Sequence, residues 1–231
     1  MSSFPKGLSL LFAASVIFFS SCSSENPEAS SVDHKLVYDF KDEESFPDTR
    51  LSVFLSLESK AQKASSIKLI HEETNLQWTC NTRLMDKVEH KNSKWVGCTN
   101  FFPVKNEDFP SGQYSVIYED LEEKETETYF NLQTAEDIKD HKAGDFPAAF
   151  TSPNTKKIAV YSNEDVLLYF GEEKEEWDSN EKIIYDFKNA WCLRTVYVLK
   201  NGTVYCLMPP VLLGNTEYIK ETSDSSSENN K

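Results

Sequence analysis

Arg50-Leu51-Ser52-Val53-Phe54-Leu55-Ser56-Leu57 puts Leu51, Val53, Leu55 and Leu57 at every second position. That period is the period of a pleated strand with one face on a core. A helix remains open only if the run continues into residues 58–64. Elsewhere the strand reading dominates. Residues 35–40, 66–72, 75–81 and 94–101 are short extended runs, and Leu76, Trp78 and Cys80 share a face in the third of them. Residues 113–118 and 125–132 make a hairpin across the acidic turn 119–124. Residues 157–161 and 166–170 form another pair. Trp191 to Leu199 and Thr203 to Leu207 flank Asn201-Gly202, a dipeptide suited to a tight turn. Bulky residues on both faces of that hairpin predict a central place in its sheet.

Hydrophobic residues make up 39% of the 231 and aromatics 13%, enough for a packed core and too many for wholesale disorder. A net charge of -14 argues against a nucleic-acid partner, because phosphates need a basic face.

The first residues read as an address. Lys6 is followed by an apolar run over 8–19, too short to span a bilayer, and then by Phe19-Ser20-Ser21-Cys22. This resembles a bacterial lipoprotein signal. Phe19 stands where the strict pattern has Leu, as in the relaxed form of spirochaetal, treponemal-type lipoproteins. The resemblance implies a signal peptide over 1–21, fatty acyl chains such as palmitate on Cys22, and attachment of an extracytoplasmic chain to a membrane of the cell envelope, in either leaflet. An ordinary secretory signal is the alternative. The polar residues over 22–34 read as a tether, and the Ser/Asn/Glu-rich residues 221–231 as a disordered tail.

Beyond Cys22, an even four cysteines in an exported chain suggest two disulfides. Three pairings are open. The local one is Cys80–Cys98 with Cys192–Cys206. A turn at Asn201-Gly202 opposes Tyr197 to Cys206, which puts Cys192 on the other face of its strand and makes the second bridge difficult.

Pro110-Ser111-Gly112 leads into a Tyr-bearing strand, an acidic turn and an alternating return strand. This resembles the last two strands of immunoglobulin-like or fibronectin-III-like modules. The resemblance implies a sandwich over 35–133, without the antibody pattern, because Cys80 and Cys98 are too close in sequence to be the antibody bridge. Residues 134–156 read as a linker with a short helix near 135–142, and 157–220 as a smaller β-rich domain. The expected fold is mainly β.

His71-Glu72-Glu73-Thr74-Asn75 begins like a zinc-protease helix, but Asn75 stands where the second His is needed, so it reads as a polar turn. The histidines are scattered, and no nucleophile elbow or phosphate loop is present. No catalytic, metal or cofactor residue is assigned. Trp177, set among acids, is the candidate exposed partner contact. The expected role is a non-catalytic binding or adhesion module for a protein or glycan. An inward-facing structural lipoprotein is the second reading, and an unrecognised hydrolase the third.

Overall fold

The computed structural model describes residues 27–57, 63–90, 93–104, 108–134 and 137–214. The expected signal peptide 1–21, Cys22 and the tail 221–231 lie outside the described residues. In chain order the strands are β1 Ala29–Asp39, β2 Asp48–Leu57, β3 Ala64–His71, β4 Gln77–Asn81, β5 Asp86–His90, β6 Ser93–Phe101, β7 Gly112–Asp120, β8 Glu125–Leu132, β9 Lys156–Ser162, β10 Leu167–Gly171, β11 Ala190–Leu199, β12 Val204–Leu207 and β13 Val211–Leu212. Among the described residues one short α-helix, α1, spans Asn180–Asp186, beside several single 3-10 turns.

The protein is mainly β, with one large curled sheet and a second, smaller one. The large sheet runs β10-β9-β11-β12-β1-β2-β6-β5, with β13 beside β11, and the small one runs β4-β3-β7-β8. The alternating run in β2 behaves as its period predicts. Leu51, Val53, Leu55 and Leu57 are all buried, and β2 pairs antiparallel with β1 along its length. Each such side chain removed from water contributes about 1.5–3 kcal/mol. The four meet Leu36, Tyr38 and Val96 of their own sheet and Ile67, Leu69, Trp78, Tyr114 and Val116 of the other in one core.

Three expected boundaries are corrected. The tether was expected to reach residue 34, yet β1 starts at Ala29. Ser31 to His34 lack an apolar period but find ladder partners in Ser56 to Val53, and the His34 ring stacks on Phe130 at 4.4 Å. The linker over 134–156 is not loose. Its expected helix shrinks to a single turn, Ile138–Asp140, and Ile138 and Ala143 are buried in the main core, with Phe146 and Phe150 packed against it. The strands after residue 156 do not form a sheet of their own. β12 lies parallel to β1, in register from Leu36↔Val204 to Asp39↔Leu207, so they extend the first sheet. They do keep a local core of Ile158, Val160, Trp177, Ile183 and Leu213 on one face. β5 was not anticipated, because Asp86 to His90 carries a single apolar residue, Val88.

β11 is central, between β9 and β12, as its two bulky faces predict. Leu199 opposes Val204 and Tyr197 opposes Cys206, across a four-residue turn. Lys200, Asn201 and Gly202 all take positive φ there, a backbone that suits Asn and Gly.

Candidate functional site

The curl of the large sheet makes a concave face. Phe170 of β10 stacks on Tyr205 of β12 at 5.7 Å although β9 and β11 lie between them. Under that contact sits a small core of Val37, Ala159, Val196 and Leu207. At the other end of the face, Asp39 closes β1 and Arg194 projects from β11.

Arg194 is held on four sides. Its Nη2 donates to Asp39 Oδ1 at 2.6 Å and to the carbonyls of Phe40 and Leu207 at 2.8 and 3.0 Å. Its Nε donates to the Met208 carbonyl at 2.7 Å. Lys41 Nζ donates to the other oxygen, Asp39 Oδ2, at 2.9 Å. The Asp39 and Arg194 side chains are only 10% and 12% exposed. Burial opposes ionisation of Asp39, yet the hydrogen bonds from Arg194 and Lys41 outweigh it and hold the carboxyl below its usual range. The pair therefore ties β1, β11 and the exit of β12 together as a fixed polar floor.

Beyond this floor a groove of about 710 Å³ opens. Tyr161 and Cys192, in register across β9 and β11, line one side, and burial pushes both their pKa values up. Arg50 and Asn100 line the opposite side, where the Arg50 guanidinium donates to the Thr99 carbonyl at 3.1 Å. Trp191 and Phe102 add two partly exposed aromatic rings.

The four cysteines are thiols, and all are buried. Cys80 on β4 and Cys98 on β6 come from different sheets and share the main core, and the Cys80 thiol donates to the Asn81 carbonyl at 3.7 Å. Burial first, and the Cys98 thiol second, push Cys80 up to about 12. Cys192 and Cys206 are not a pair. Cys206 opposes Tyr197 and enters the main core, whereas Cys192, five residues before Tyr197, points to the groove. The expected Cys192–Cys206 bridge is corrected on that ground, since the sheet itself separates the two sulfurs.

Trp177 is also corrected. It is 6% exposed, packs edge-on against Tyr169 at 4.8 Å and Phe187 at 6.0 Å, and donates from Nε1 to Asp186 at 2.9 Å. Lys174 Nζ lies 4.8 Å from the centre of its ring. The acids around Trp177 face water, but one of their neighbours, Lys174, folds over the indole. That turns a ring expected at the surface into part of the local core. His71 ends β3 in the expected polar turn. Its Nδ1 meets Thr74 Oγ1 at 2.9 Å and its Nε2 meets the Ser111 carbonyl at 3.2 Å.

Asp39 and Arg194 escaped the sequence reading because 155 residues separate them. The available signal was a lone arginine inside the apolar Trp191–Leu199 run, where a buried charge requires a partner. Among the described residues no cluster of three or more His, Cys, Asp or Glu is placed to hold a metal. Comparison with family models, curated proteins and solved structures finds no match.

Proposed function

We propose that this chain is an exported, lipid-anchored binding module without catalytic activity, of the spirochaetal lipoprotein type, and that the groove above Arg194–Asp39 is its binding site. The observation that carries the reading is the direction of β1. It begins at Ala29, seven residues after the proposed acylated Cys22 and its diacylglycerol. It ends at Asp39, about 33 Å further on at the rise of an extended strand. That direction supports a groove displayed away from the proposed anchor, where a partner has access. The polar groups of its floor are engaged in fixing backbone carbonyls, which suits a preformed recognition surface.

Two further features support an immunoglobulin-like reading of residues 29–133. The orders β1-β2-β6-β5 and β4-β3-β7-β8 match the ABED sheet and the CFG sheet with one added edge strand. Tyr114, at the start of β7, donates from its hydroxyl to the Pro110 carbonyl four residues upstream, the contact known as a tyrosine corner. In an oxidising compartment Cys80 and Cys98 would join as an inter-sheet disulfide. Their two protons and two electrons pass to an exported dithiol oxidase in its disulfide form, by thiol–disulfide exchange.

Mass spectrometry of the native protein tests the anchor: an N-terminal diacylglyceryl Cys22 is expected, and an unmodified or different N-terminus overturns it. Protease treatment of intact cells tests the outward facing. Cleavage supports surface display, and full protection favours an inward-facing structural role.

A further inference from the structure

The groove has a composition that its surroundings lack. The chain as a whole carries a net charge of -14, yet the charges lining the groove balance: Lys41, Arg50 and Arg194 against Asp39, Asp48 and Asp165. A polyanion approaching this molecule meets repulsion everywhere else and no compensating basic patch here. A cationic ligand gains nothing from the groove that the rest of the surface does not offer more strongly. The local field therefore selects neither sign.

The uncharged components of the lining are equally specific. Trp191 and Phe102 are 38% and 58% exposed; other rings such as Phe46 and Tyr185 are exposed too, but these two line one groove. They supply flat apolar platforms. Arg50, Asn100, Asp48 and Thr99 supply planar or hydroxylic groups that include both donors and acceptors. A ligand matching both sets has apolar faces of C–H bonds and a rim of groups that donate and accept at once. A pyranose ring is built that way, with C–H faces that pack on indole or phenyl rings and equatorial hydroxyls that hydrogen-bond sideways. The volume of about 710 Å³ lies within the range of about 300–1,000 Å³ typical of small-ligand sites.

An extended peptide fits less well. Peptides that bind to sheets do so by adding a strand at an open edge. The floor of this groove is formed by β1, β12, β11 and β9, each already paired on both sides. Its backbone offers no free ladder, so recognition must come from side chains.

From this we infer that the groove binds a neutral oligosaccharide, stacked on Trp191 and Phe102 and hydrogen-bonded by the Arg50–Asn100 side. The inference rests on the binding-module reading and narrows its ligand class.

The test is isothermal titration of the full processed protein, held in a detergent without a sugar headgroup, against chitohexaose, cellohexaose and mannohexaose. A heparin hexasaccharide and a pool of neutral hexapeptides serve as the contrasting probes. At least one neutral sugar should bind. Trp191→Ala and Phe102→Ala, both at exposed rings, should each weaken it about tenfold. Affinity should change by less than about twofold between about 0.05 and 0.5 M salt, because no net charge is paired. Binding of the peptides or heparin with the same dependence on Trp191, and no binding of neutral sugars, overturns the sugar assignment and leaves the binding module standing. Sugar binding that both variants leave unchanged overturns the groove as the site. Failure of every probe overturns the sugar assignment, and with it the ligand-binding role on which it rests.

Discussion

The Tyr114 hydroxyl donates to the Pro110 carbonyl at 2.8 Å and so locks the entry of β7 against the turn that precedes it. Tyr114 is fully buried, stacks on Phe130 at 5.1 Å and lies 5.9 Å from Trp78. Burial raises its phenol well above the ordinary range, so the ring stays protonated and remains a donor. Tyr114→Phe keeps the ring and deletes the donor. It should cost about 1 kcal/mol in urea unfolding, with an unchanged m-value. A variant as stable as the parent would show that the contact does not hold the corner.

The Arg194–Asp39 pair should be much more costly to break. Arg194→Leu leaves a buried carboxylate with only Lys41 for company, and takes a donor from the carbonyls of Phe40, Met208 and Leu207, of which Leu207 keeps the Phe40 N–H. Loss of about 3 kcal/mol is expected. The pH dependence follows from Asp39. Its folded pKa is lowered, so its stabilisation is present above the unfolded value near 3.9 and fades as pH falls through the lower folded value. Stability measured by urea midpoint should fall below about pH 4 in the parent, and Asp39→Asn should flatten that part of the acid limb. An identical acid limb in the variant would remove Asp39 from the account.

At high pH the sign reverses. Burial pushes Cys206 up to about 12, and burial with the Asp120 charge does the same for Tyr118. Both groups favour the folded state while protonated. Their contribution is complete below the unfolded values, near 8.5 for Cys and 10 for Tyr, and is lost as pH rises towards 12. The unfolding midpoint should therefore decline from about pH 9 upward, and Cys206→Ala should make that decline shallower between about pH 9 and 10, where the raised thiols of Cys192 and of unbridged Cys80 keep their own share. A flat profile through pH 11 would contradict it.

Non-reducing peptide maps of protein taken from an exporting host should show Cys80 joined to Cys98, with Cys192 and Cys206 alkylated only after unfolding. The bridge closes a short loop between β4 and β6, so Cys98→Ala should cost the oxidised protein about 3 kcal/mol. Recovery of free Cys80 and Cys98 from that host would overturn the bridge.

Trp177→Ala should behave as a core deletion, costing about 3 kcal/mol, and should leave groove binding of any ligand unchanged once the protein is folded. Trp177→Phe should lose less, chiefly the hydrogen bond to Asp186. Normal stability in both variants would return Trp177 to the surface.

The strand content was legible in the chain itself wherever one face is buried, because alternation in β2, and Asn-Gly between β11 and β12, are local signals that need no partner to be read. The parity of Cys192 and Cys206 could likewise be counted from the turn, and the register bears that count out. What only the tertiary structure decided depends on contacts between distant segments. Ser30 and Ser31 are polar enough for a tether, but β2 holds both: Ser31 pairs with Ser56, and the Ser30 hydroxyl donates to the Ser56 carbonyl. Residues after 156 look like a separate unit until β12 lies beside β1. Arg194 and Asp39 carry no mutual signal along the chain, since a buried charge becomes affordable only when folding brings its counter-charge and carbonyls to it. Periodicity records which face a residue turns inward; it does not record which segment it will meet there.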